Sequence, residues 1–282
     1  MPLKECSINL PDIQSAKPDT LIPINKVGIK NLKYPIKVLD RAKGFQDTVG
    51  EFNLYVDLPS HFKGTHMSRF VEVLNEFKDE IHVKNIKEIL RKLKSRLSAR
   101  SAHLEVYFPY FIEKKAPVTG VAGLIEYQAF MKAALFTRKF DLVLGVVVPV
   151  MTLCPCSKSI SRYGAHNQRG IVTIQVRSKP FIWLEELIEI AEESASSPVY
   201  PILKRPDEKY VTEKAYENPK FVEDVVRTCA SKLLQIKGIY WFSVSVENFE
   251  SIHGHNAYAY IEHPSHGYSS ESSMSKKDAP HS

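Results

Sequence analysis

Hydrophobic and polar residues along this chain switch between two periods. Phe52, Leu54, Val56 and Leu58 alternate with Asn53, Tyr55 and Asp57, so residues 45–58 are read as a half-buried strand ending at Pro59. Met67, Phe70, Val71, Leu74 and Phe77 follow helical spacing, with Thr65 as a candidate N-cap. Ile86, Ile89, Leu90, Leu93 and Leu97 mark a second amphipathic helix that is basic on its other face. Extended runs follow at 103–113, 126–138 and 140–152. The second part of the chain repeats this order. A strand is expected at 170–178 and a helix at 181–193. A longer helix is expected at 219–237, with Asn218 as N-cap, Pro219 at the first helical position and Gly238 beyond its end. Strands at 240–248 and 256–262 complete it. Strands gathered around helix pairs predict an α+β fold, with antiparallel sheets carrying helices on one face. No repeat is visible at the level of letters, only in the order of elements.

The ends break this pattern. Residues 1–27 hold Pro2, Pro11, Pro18 and Pro23 with no clear period and are read as an extended arm. Residues 264–282 are serine-rich, nearly without large apolar side chains, and are read as a disordered tail. Between them, 28–140 and 141–263 form the two expected units.

With 282 residues and 44% hydrophobic content the chain can bury a core without disulfides, which excludes a disordered, collagen-like or coiled-coil protein. The longest apolar run, Leu142 to Cys154, is too short to span a bilayer. The N-terminal MPLKECSINLPDIQ lacks the apolar region of a secretory signal, so a soluble cytoplasmic protein without a membrane partner is expected. The net charge of +6 suits an anionic small molecule; without a dense basic stripe and interleaved aromatics, no nucleic-acid partner is expected.

Four cysteines are present, Cys6, Cys154, Cys156 and Cys229. Cys154 and Cys156 flank one proline and precede Lys158, a setting that lowers a thiol's pKa and suits a metal ligand or nucleophile. His166 follows in the polar turn GAHNQRG, and a hairpin over 150–172 brings it to Cys154. The bland alternative is two buried cysteines and a loop histidine. His253 and His255 stand two apart between expected strands, as metal ligands, a proton-transfer pair or a solvated turn. Glu208 sits in a loop after Pro206, as a carboxylate ligand or a solvated acid. Glu223 lies in the first turn of its helix, either as a partner of the macrodipole or as an acceptor for a guanine-like N–H edge. Lys63, His66, Ser68 and Arg69 gather donors around a helix start, which favours phosphate or is an ordinary basic surface.

Taken together, LPSHFKGTHMSRF, TLCPCSKSIS, GAHNQRG and ENFESIHGHNAYA resemble the type IB GTP cyclohydrolases and their archaeal relatives, over about residues 25–263. The resemblance implies a bimodular tunnelling fold (T-fold), with two tandem units of antiparallel sheet and helix pair, assembled as a homotetramer. It implies conversion of GTP and water to 7,8-dihydroneopterin triphosphate and formate, the entry to folate-type pterins, with manganese, iron or zinc as cofactor. It implies Cys154, His166 and Glu208 as metal ligands, His253 and His255 in proton transfer, and Glu223 as the anchor of the pterin edge. Lys63, Arg69, Lys158 and Arg169, with His66 and Ser68, are then candidates for the triphosphate. The rival readings are a nitrile reductase of queuosine synthesis, using Cys154 as nucleophile with NADPH, and a non-catalytic protein stabilised by its metal. The second cysteine, the His-Asn-Gln-Arg turn and the His-x-His argue against the former.

Overall fold

The computed structural model describes residues 13–264, apart from 78–80, 84 and 138. One antiparallel sheet runs through these residues. Its strands are β1 (Ile24–Asp40), β2 (Gly44–Leu58), β3 (Ala102–Lys115), β4 (Ala122–Leu135), β5 (Phe140–Leu153), β6 (Asn167–Ser178), β8 (Ile239–Asn248) and β9 (Ala257–His263), in that spatial order. A two-residue strand β7 (Ser197–Pro198) pairs with β5. The helices are α1 (Ser68–Glu76), α2 (Ile86–Arg96), α3 (Pro155–Ile160), α4 (Leu184–Ser194), α5 (Arg205–Glu217) and α6 (Val222–Gln235).

Strand alternation decides which face is covered. Leu104, Val106 and Phe108 of β3 are buried, as are Val146, Val148 and Val150 of β5, Val172 and Ile174 of β6, and Val244 and Val246 of β8. They stand beside one another in register, for example Val148 with Val172 and Ile174 with Val244. Ile86, Ile89, Leu90 and Leu93 of α2, and Val225, Val226, Cys229 and Leu233 of α6, join the same core. Burial of side chains of this size contributes about 1.5–3 kcal/mol each and drives helix and sheet together.

The structure corrects several element readings. β1 begins at Ile24, inside the segment read as an arm, and pairs with β2 along most of its length. The arm's first twelve residues and the tail from 265 onward lie outside the described residues. Thr65 is not the cap of α1: Met67 occupies that position, without a side-chain cap. Glu208, read as lying in a loop after Pro206, sits instead in the first turn of α5. The following helix starts at Val222, three residues later than expected. Asn218 instead ends α5, and its side-chain amide donates to Ala195 O and Ser196 O at 3.0 and 3.3 Å. Pro219 lies in the connecting loop, and the Asp224 carboxylate accepts the Phe221 N–H at 3.0 Å to close the start of α6. Gly238 follows α6 with φ +94°, a conformation that favours glycine.

Candidate active site

β5 ends where an apolar strand meets proline. Pro155 takes the first position of α3, where its missing N–H costs nothing. Cys154 is the N-cap, and its sulfur accepts the Ser157 N–H at 3.4 Å. The chain then returns as β6. The Cys154 N–H donates to His166 O at 3.1 Å, and Leu153 stands opposite Asn167. This return places Cys154 and His166 on the wall of one cavity of about 360 Å³.

A hydrogen-bond relay orients the imidazole. Gln168 Nε2 donates to Glu250 Oε1 at 3.4 Å, which leaves Gln168 Oε1 as acceptor towards His166 Nδ1 at 3.1 Å. Glu250 Oε2 is also 4.0 Å from Nδ1. Acceptors on that side call for a proton on Nδ1, so Nε2 keeps its lone pair for a metal or substrate. Gln168 is buried, and Glu250 is held close because the Phe249 N–H donates to Arg169 O at 2.9 Å.

The turn between β8 and β9 contributes His253 and His255, exposed and stacked with ring centroids 5.3 Å apart. Glu223, exposed in the first turn of α6, lines the same cavity, as do Cys156 and Lys220. Lys220 is tied to the sheet by its N–H to Leu153 O at 3.0 Å. Beneath them Asn248 is buried with no hydrogen-bond partner for Oδ1 among the described residues. A Cβ added at Gly170 would stand 2.7 Å from that oxygen, so the glycine is needed for the close approach.

Cys154, His166, Glu223, His253 and His255 therefore share one cavity. Glu208 does not join it. Glu208 lies on α5 and lines an adjoining cavity of about 330 Å³ with Leu153, Ala165 and Asn167. The two cavities divide the extended segments by alternation, since neighbouring residues point to opposite sides. Cys154 and His166 face one cavity, and their sequence neighbours line the other. Among the described residues no three His, Cys, Asp or Glu side chains are gathered to hold a metal. The thiolate and imidazole still have the right donor chemistry for a first-row divalent ion.

The basic candidates stand outside this cavity's lining. Lys158 Nζ donates to Tyr216 O and lies 4.4 Å from the centre of that ring. Arg169 is exposed on β6. Lys63 precedes α1, and its N–H donates to Ala16 O; Ser68 and Arg69 begin the helix, and the Arg69 side chain donates to Arg96 O. His66 is in the same segment. Sequence reasoning quoted Gln168, Asn248 and Glu250 but gave them no role, and it missed Lys220. The available signal for Gln168 was its period-2 relation to His166.

A family model described as Type I GTP cyclohydrolase folE2 matches residues 10–259. A relative from Geotalea uraniireducens (strain Rf4), named GTP cyclohydrolase FolE2, is 57% identical, over 89% of this chain and 92% of its own. Another of that name, from Geobacter sp. (strain M21), is 58% identical over 90% of this chain and 95% of its own. A urate oxidase mutant from Bacillus sp. TB-90 shares the fold, with a TM-score of 0.51 and 7% identity over 85% of this chain and 99% of that one. The architecture is the tunnelling fold. By the extent of the family match and the identity to these relatives, the chain belongs to the type I GTP cyclohydrolase FolE2 family.

Proposed function

We propose that the protein is a GTP cyclohydrolase of the type IB subtype, converting GTP and water to 7,8-dihydroneopterin triphosphate and formate in the cytoplasm. The observation that carries this reading is the single cavity holding Cys154, His166, Glu223, His253 and His255, in a chain of this family.

Cys154 and His166 would hold a divalent ion, manganese, iron or zinc. Glu208 is the third ligand by resemblance alone, since it lines the adjoining cavity. The chemistry such an ion supplies is the lowering of a water's pKa to about 7, which makes a nucleophile available at neutral pH. The protein does the rest. The Glu223 carboxylate accepts the N1–H and exocyclic amine of guanine and turns C8 towards Cys154 and His166. A base lacking those donors leaves the carboxylate unpaired and is rejected. His253 and His255 line the same cavity and move protons, to N7 as the imidazole ring opens and to the amine that leaves as formate departs. Lys220 adds a cation on the cavity wall. The triphosphate falls to Lys63, His66, Ser68, Arg69, Lys158 and Arg169. None of the six lines the cavity, which fits a homotetramer in which a neighbouring subunit supplies some of them. The chain is further read as two tandem T-fold units, 28–140 and 141–263.

Incubation with GTP and each divalent ion in turn, then oxidation, should give pterin fluorescence with at least one ion. GTP recovered intact with every ion would refute the assignment.

A further inference from the structure

The sequence makes α2 basic on the face away from its apolar stripe, and the fold sets that face beside aromatic residues. Lys87, Arg91 and Lys94, spaced along one face of α2, line a groove of about 490 Å³ with Ser95, Phe136 and Phe140. The cavity at Cys154 shares none of these residues. Among the described residues no carboxylate lines the groove. Arg91 shares a charge with Glu88 at 2.9 Å, while among the described residues no acid pairs with Lys87 or Lys94. Lys94 Nζ donates to Phe136 O at 3.2 Å, which holds its ammonium at the wall, and Lys87 Nζ stands 5.6 Å from the Phe140 ring centre. Phe136 meets His103 edge-on at 5.6 Å and keeps 43% of its surface exposed. Like charges one turn apart on a helix repel, so this arrangement costs stability unless an anion answers it.

We propose that this groove is a second, non-catalytic site for a nucleotide. Its phosphates lie along Lys87, Arg91 and Lys94, and its base lies on the open face of Phe136. Ammonium and guanidinium groups give charge-assisted hydrogen bonds to phosphate oxygens, and an exposed aromatic ring offers a stacking surface to any base.

Titration calorimetry of the full-length protein with ATP, with tripolyphosphate and with a single-stranded oligonucleotide tests this. Wild type should bind ATP saturably. Lys87→Ala/Arg91→Ala/Lys94→Ala should weaken that binding about tenfold or more, in a salt-sensitive way. Phe136→Leu should weaken ATP binding but leave tripolyphosphate binding unchanged. Lys87→Gln alone, judged folded by its melting curve, should give a smaller loss of the same kind. ATP binding unchanged in the triple variant, or equally unaffected by Phe136→Leu, would overturn the proposal. An oligonucleotide that binds more tightly than ATP would overturn it in favour of a nucleic-acid surface.

Discussion

Cys154, Cys156 and Cys229 carry the same atom in three settings. Cys229 is fully buried on α6, and burial pushes its thiol up to about 11. Cys156 is exposed on the cavity rim, and Cys154 is half-buried as a helix cap. Alkylation of the native protein followed by peptide mass analysis should therefore modify Cys156 and spare Cys229. Labelling of Cys229 at a comparable rate would contradict the packing of α6. Glu223 gives a second test. Replacing it by Gln removes a charged acceptor worth about 1.5–3 kcal/mol, so KM for GTP should rise tenfold or more with metal content unchanged. Loss of metal would assign Glu223 a different role. The pairing of Cys154 with His166 was legible because a short hairpin between two strong strand patterns fixes it. The Gln168–Glu250 relay was not legible, because Glu250 reaches His166 only through the β6–β8 pairing, which brings residues 82 apart in sequence together.

Among the elements, α5 shows best why sequence periodicity fails. Only Asp207 and Ala215 of its thirteen residues are buried, so it has no apolar stripe to read. Asp207 holds it in place instead. Burial opposes the charge of this carboxylate, but hydrogen bonds from the backbone and hydroxyl of Thr119 and from the Lys204 and Val118 N–H groups outweigh that. They hold its pKa far below the ordinary carboxylate value. As pH falls, the unfolded chain takes up a proton at this group first. The stabilisation is therefore complete above the unfolded pKa of about 3.9 and is lost as pH drops towards the folded value. Asp207→Asn should lower the melting temperature at pH 7, and the gap to wild type should narrow below about pH 4. A gap independent of pH would mean that the charge of Asp207 does not matter. The helix after Pro219 was misplaced at its start for a related reason. Asn218 is a good cap by type, but its amide is already committed to the carbonyls of Ala195 and Ser196.

At the scale of the whole molecule, the alternating strands made the α+β class and most strand positions legible. The long β1 was missed because its burial alternates only near its C-terminal end. The sheet's end strands are β1 and β9, and β9 exposes Tyr258 and Tyr260. Open edges of this kind template association, and natural proteins blunt or cover them. Light scattering in solution should accordingly return four times the 32.1 kDa chain mass; a monomer at micromolar concentration would remove the tetramer and the shared triphosphate site with it. The account as a whole rests on Cys154 and His166 acting together on GTP. Its most direct test is formate release from GTP by the metal-loaded protein, with wild type and Cys154→Ala side by side. Wild type should release one formate for each GTP consumed, and the variant none above background. A Cys154→Ala protein that releases formate near the wild-type rate would contradict the claim.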